Sequence, residues 1–295
     1  MEIIYEGTDI TKSSTPLIKC ELDRFLGGSV DCMRITFDNS DGSWTKWSPK
    51  PGDKIRVKED YADSGTMYIH SIDPVNDEMV LKAASLKYLH SGHAHTWEDI
   101  HFKQLITQRA TDLGLKVQFY GVEDQEYGQV DQDGSDLNFI NELCRLEGCI
   151  FTVNDGILRV ISYDYLEKME TSSYTINAIK HRSHDNPYYT GCMVTDGKIY
   201  GKAGDESGEI VKLTTPHEFA SLAEANRFAL NSLKEANTRR KYGEVYADIL
   251  MSEIKPGSKV NLKSDYFNCP IIVTHTRQEL KSMKAKIFFR LTKED

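Results

Sequence analysis

The sequence predicts a mainly β protein with an α+β insertion, in which two related antiparallel β-barrels flank a helix-containing middle subdomain. Three observations carry this reading. Short apolar runs recur at both ends of the chain, several with alternating polarity and separated by Gly, Pro, Asn and Asp. Two helix-then-strand units lie between them. A segment near each end also repeats: Lys50-Pro-Gly-Asp-Lys-Ile-Arg-Val-Lys-Glu-Asp-Tyr61 aligns with Lys255-Pro-Gly-Ser-Lys-Val-Asn-Leu-Lys-Ser-Asp-Tyr266, seven of twelve positions being identical. Lys-Pro-Gly is a frequent start to a strand, but here the match continues. In both copies a second apolar run follows, Met67 to Ile69 and Ile271 to Val273. At 295 residues the chain is at the upper limit for one hydrophobic core, so subdomains are expected at 1–89, 90–165 and 166–295.

Taken in order, the first barrel is expected from strands at Ile3–Tyr5, Leu17–Leu22, Cys32–Phe37, Ile55–Val57, Met67–His70 and Met79–Ala83. Gly27-Gly28, Asn39 to Gly42 and Pro49 to Gly52 punctuate them. In the middle segment, Thr96-x-x-Asp99 reads as a helix start. The stripe Ile100, Leu105, Ile106, Ala110 and Leu113 follows and stops at Gly114. A strand over 115–120 and an acidic loop over 121–133 come next. Ser135 or Asp136 then caps a helix whose buried face holds Leu137, Ile140, Leu143 and Cys144 and which stops at Gly148. Ile150–Val153 and Ile157–Ile161 form a hairpin about Asp155-Gly156, a pair that tolerates positive φ. Strands are expected again over 188–194, 198–200 and 209–213. A helix near 221–240 is capped by Ser221-x-x-Glu224 and buries Leu222, Ala225, Ala229, Leu233 and Ala236. Strands over 245–251, 259–262, 271–276 and 286–291 complete the second barrel.

The helix-and-hairpin unit also resembles the mid-chain signature of phage baseplate hub proteins. Its carriers are Ser135, Asp136, Leu137, Phe139, Ile140, Leu143, Leu146, Glu147, Gly148 and the Asp155-Gly156 turn. That family includes the late control protein D group, the hub of PBSX-like prophages and the hub portion of type VI secretion spike proteins. The resemblance implies a structural hub of a contractile phage tail or R-type bacteriocin. Such a hub is a homotrimer forming a pseudo-sixfold ring that joins the hexameric tail tube to the trimeric spike around a channel. Tube, spike and tape-measure proteins would be its partners. It would assemble in the bacterial cytoplasm and end in the baseplate or a released phage-tail-like particle. No appended spike, lysozyme-like or wall-binding segment is recognisable, so puncturing and wall degradation would belong to other chains.

Bulk properties fit a soluble globular chain, and without a phosphate-cradling Gly loop, a Gly-x-Ser-x-Gly elbow or a His-Glu-x-x-His motif no enzyme is expected. No apolar run reaches membrane-spanning length, and the first residues lack a signal-peptide pattern. The net charge of −9 disfavours stable nucleic-acid binding. Six cysteines without a Cys-x-x-Cys pair read as free thiols acting as small apolar side chains. No catalytic, cofactor-binding or metal-binding residue is assigned. His90, His93 and His95, with His101 nearby, could hold zinc or nickel, but a polar linker is the simpler reading. Asp131, Asp133 and Asp136 lack the Gly and bidentate Glu of a calcium loop. Trp44 and Trp47 with Tyr61 and Tyr68 suit core packing or an interface more than a sugar platform. The alternatives to a hub are a carbohydrate- or cell-wall-binding β module and a tail-associated cell-wall hydrolase.

Overall fold

The structure, a computed structural model, describes residues 1–12, 16–87, 92, 94–178, 180–215, 217–247, 254–264 and 268–292. The first third holds β1 (Glu2–Tyr5), β2 (Thr8–Asp9), β3 (Leu17–Phe25), β4 (Cys32–Asp38), a short α1 (Ser43–Trp47), β5 (Lys54–Glu59), β6 (Ala62–Asp63), β7 (Met67–Val75) and β8 (Glu78–Ala84). The middle holds β9 (His95–His101), α2 (Phe102–Asp112), β10 (Lys116–Tyr120), β11 (Glu126–Gln132), α3 (Asp136–Leu146), β12 (Cys149–Asn154), β13 (Ile157–Ser162) and α4 (Tyr163–Lys168). Then come β14 (Thr175–Asn177), β15 (Lys180–Asp185), β16 (Gly191–Thr195), β17 (Tyr200–Gly204), β18 (Ile210–Thr214) and α5 (Leu222–Thr238). The chain closes with β19 (Lys241–Ala247), β20 (Lys259–Lys263), β21 (Asn268–Glu279) and β22 (Lys284–Leu291). The protein is mainly β, as the alternating runs predict.

Among the described residues, fourteen strands join into one sheet. The two ends of the chain contribute the same pattern to it. The first runs β3-β4-β8-β7-β5-β1, and the second β15-β19-β22-β21-β20-β14. Strands in matching places also follow one another in the same chain order. One difference is direction: β1 is antiparallel to β5, whereas β14 is parallel to β20.

The likeness extends to single hydrogen bonds. In the first Lys-Pro-Gly turn, Asp53 N–H donates to Lys50 O (3.1 Å) and Gly52 N–H to Ile69 O (2.7 Å). In the second, Ser258 N–H donates to Lys255 O (2.9 Å) and Gly257 N–H to Val273 O (2.8 Å). The Asp53 carboxylate accepts from Lys50 N–H at 2.7 Å, and the Ser258 hydroxyl from Lys255 N–H at 3.2 Å. Gly52 and Gly257 have φ of 92° and 91°, a region that other residues enter only under strain. Both β7 and β21 carry a register shift just after this contact, skipping His70 and Thr274 respectively. Such a bulge increases local twist and redirects the strand.

Apolar side chains of both ends share one core, in which Leu22, Phe37, Trp44, Ile55 and Met67 join Val245, Leu262, Ile271 and Phe289. A second core lies under the middle segment, between α2, α3 and the β10-β13-β12 sheet. Helix α5 belongs to this second core, although it falls in the expected second barrel. Ala225, Phe228 and Ala229 pack there with Cys192 and Val194 of β16. Gly201 makes the approach possible, since a Cβ on it would lie 2.2 Å from the Ala225 carbonyl oxygen. Leu222, expected on the buried face, is 58% exposed at the first turn, and Phe228 fills the core instead.

Two expectations in the middle segment are corrected. Thr96 and Asp99 do not start a helix; they lie in β9, which pairs antiparallel with β11 in what reads as an acidic loop. The ladder between β9 and β11 overrides the local capping pattern, and α2 starts only after His101. Asp124 accepts a hydrogen bond from Lys103 N–H at 2.9 Å and so supplies the cap from a distant segment.

The equivalence of the two turns can be tested directly. A Cβ on Gly52 or Gly257 would meet nothing closer than 3.7 Å, so substitution probes backbone strain alone. Gly52→Ala and Gly257→Ala are each expected to lower stability by roughly 1–2 kcal/mol in urea unfolding. A large loss at one turn and none at the other would contradict the equivalence.

Candidate assembly interface

The sheet becomes continuous at one place, where β3 pairs with the second half of β21. On one face of this seam Asp23 stands opposite Arg277. Its Oδ1 accepts from Arg277 Nε at 2.8 Å and lies 2.7 Å from His275 Nε2. Burial works against the Asp23 carboxylate, but the His275 and Arg277 contacts outweigh it and hold its pKa below the ordinary value. His275 is stacked between Phe25 and Phe288, with ring centroids 4.4 and 4.5 Å apart. On the other face Arg24 is buried. It donates to the Asp63 carbonyl, and its Nε lies 3.7 Å from Asp31. Asp31 is itself buried and accepts from Phe25 N–H. Burial pushes the Asp31 carboxyl up to about 7, with Arg24 acting in the opposite sense.

A second set of contacts ties α3 to α5. Ser135 caps α3 by accepting from Asn138 N–H, as its position predicts, and Glu147 and Gly148 end the helix. The Leu146 carbonyl, freed at that end, accepts from the buried Asn231 side chain of α5 at 2.7 Å. Glu147 accepts from Tyr127 Oη at 2.6 Å and Arg227 Nη2 at 3.0 Å. Arg145 and Glu235 pair at 3.0 Å nearer the surface. Burial raises the Glu147 pKa against the pull of its two partners.

The described residues among those singled out for chemistry do not converge. His90 and His93 lie outside the described residues. His95 packs edge-on against Trp97, and His101 is 3.8 Å from Asp124. Among the described residues no group of three metal-ligating side chains forms. Asp131 and Asp133 are exposed, whereas Asp136 is buried and accepts from Gln132 at 2.6 Å. Trp44 is a core residue stacked on Phe37 at 4.1 Å, which removes it from any sugar platform. Trp47 and Tyr61 are exposed. All six cysteines are free thiols, and burial pushes Cys20 and Cys149 up to about 12. They behave as neutral apolar side chains.

Among the described residues the large sheet presents an open edge. β15 ends the sheet path, and each of its described side chains is exposed. Beside it lie the exposed Tyr188, Tyr242 and Tyr246. Tyr242 stacks on His184 at 5.2 Å, while Arg240 and Lys286 cover Tyr188 and Tyr246. Aromatic and basic side chains around an edge strand make a surface suited to a protein partner. Sequence reading missed β15 because Lys-His-Arg-Ser-His-Asp has no apolar alternation.

Two outcomes check these networks. Asp31 is protonated more readily in the folded chain than in the unfolded one. Its contribution to stability therefore falls as pH rises from about 4 to about 7. Asp31→Asn is expected to gain stability relative to the parent across that window and to level off above it, measured by urea unfolding at several pH values. Asn231→Ala leaves the Leu146 carbonyl buried without its donor and is expected to cost about 1–3 kcal/mol in the same assay.

No family model matches the sequence, and no curated protein matches it. Solved structures do match. The 43 kDa tail protein of prophage MuSo2 from Shewanella oneidensis is 12% identical, with 98% of this chain and 97% of that one covered at a TM-score of 0.69. A tail protein from Neisseria meningitidis MC58 is 11% identical, with 98% and 95% covered at 0.76. The E. coli c3393 protein, a type VI secretion component, is 11% identical, with 100% and 78% covered at 0.63. This chain has the fold of these phage-tail and type VI secretion proteins.

Proposed function

We propose that this protein is a structural baseplate hub of a contractile tail or phage-tail-like particle such as an R-type bacteriocin. Three copies form a pseudo-sixfold ring around a channel and join the hexameric tail tube to the trimeric spike. The observation that carries this reading is the matching strand order of the two chain ends, down to the same turn and the same bulge. Two similar units per chain become six in a trimer, so one ring can meet a sixfold tube and a threefold spike. The tail proteins that share the fold support the same reading.

The role is mechanical. Tube, spike and tape-measure proteins are the partners. The chain assembles in the bacterial cytoplasm and ends in the baseplate of a phage tail or a released particle. Native mass measurement and light scattering are expected to find three chains per particle, and added tube subunits are expected to shift that mass. A chain that stays monomeric at every concentration and captures no tube or spike subunit would overturn the proposal.

A further inference from the structure

We propose that neighbouring chains of the ring meet through a copy of the β3–β21 seam, with β15 of one chain pairing antiparallel to the second half of β7 in the next. The inference rests on the trimer reading above and adds the contact that makes the trimer. Its basis is the correspondence of the two chain ends. Beyond its bulge, β21 pairs with β3 over His275 to Glu279. β7 holds the place of β21, and beyond its own bulge Ser71 to Val75 pair with β8 on one side. β5 reaches only Met67 and Tyr68, so among the described residues no strand covers the other side. β15 holds the place of β3. It pairs with β19 on one side and ends the sheet path on the other. Among the described residues β7 thus keeps an open edge beyond its bulge and β15 an open side, in the positions that β21 and β3 fill with each other.

The ladders transfer residue by residue. Through the β8 and β22 partners, Asp73 takes the place of Arg277 and Val75 that of Glu279. Through β4 and β19, His184 takes the place of Asp23 and Arg182 that of Glu21. The copied seam sets Asp73 opposite His184, as Arg277 stands opposite Asp23, with the acidic and basic side chains exchanged between strands. Lys180 and Arg182 outweigh Asp185 in β15, and Asp73, which pairs with Lys82 at 2.9 Å, lies with Asp77 and Glu78 at the acidic β7–β8 turn. Opposite charges across a strand pair favour this register. Pro74 takes the place of Gln278 and has no N–H to give, so the copied ladder lacks one bond. A proline on an open edge also guards it against indiscriminate pairing. Because β15 and β7 are different surfaces, the contact is head-to-tail and closes only as a ring.

Cross-linking tests the register. The Arg277–Asp23 type of position places Cβ atoms about 4.5–5.5 Å apart, within reach of a disulfide after small adjustment. The variant carrying Asp73→Cys and His184→Cys, oxidised at a concentration where native mass shows trimer, is expected to give covalent species ending at three chains and dissolved by reductant. Each single variant, and Asp73→Cys with Asp185→Cys, is expected to give none. Pro74→Gln restores the missing donor and is expected to lower the dissociation concentration of the trimer severalfold. A trimer that neither cross-links through 73 and 184 nor tightens with Pro74→Gln would overturn this contact and leave the hub reading standing. A chain that never trimerises would overturn both.

Discussion

The architecture depends on β21 changing partners partway along its length. From Asn268 to Ile272 it pairs with β20, and from His275 to Glu279 it pairs with β3, while β22 accompanies it from Ile271 onward. The shift at Thr274 separates the two halves, and the Thr274 carbonyl accepts from Leu26 N–H at 2.8 Å. A straight strand would continue alongside β20. The bulge turns it toward the other end of the chain, so two similar strand arrays become one sheet with a shared core. The buried Arg24–Asp31 pair beneath the seam is not an efficient source of stability, since burial opposes both charges. Arg24 is held there by the Asp63 carbonyl as well as by Asp31.

The middle segment serves a different purpose. The capped helix and hairpin over 134–162 form a compact packing unit. They bury their own core and add a clasp, through Glu147 and the Leu146 carbonyl, onto α5. The arm of β16, β17, β18 and α5 is thereby fixed to the middle segment although it precedes the last four strands of the sheet. The sheet and that arm are therefore linked through packed side chains and buried hydrogen bonds.

Much of this was legible in the sequence where local and tertiary demands agree. Ser135 caps α3, Gly148 follows it, and Asp155 and Gly156 both take positive φ in the β12–β13 turn. The repeated Lys-Pro-Gly segment pointed to two related units because each turn needs its glycine conformation and each strand its apolar alternation. Legibility failed where a partner strand, and not the local sequence, dictates the conformation. Thr96 and Asp99 satisfy a capping pattern yet lie in β9, and the acidic stretch that forms β11 pairs with it. β15 has no apolar face because it lies at the sheet edge, where a backbone ladder to β19 holds it and its described side chains stay exposed. The placement of α5 was hidden for another reason: its buried stripe is the same whichever core receives it, and the close approach at Gly201 is a tertiary fact.

The central claim is that the β3–β21 seam makes both chain ends one cooperative unit. Native-state hydrogen exchange tests it at the amides of Leu26 and Leu280, which donate across the seam to Thr274 and Cys20. Both are expected to exchange only through global unfolding, with the same free energy as core amides such as those of Ile35 and Val273. Exchange of the seam amides through a smaller opening, while each end keeps its own protection, would show two independent units and contradict it.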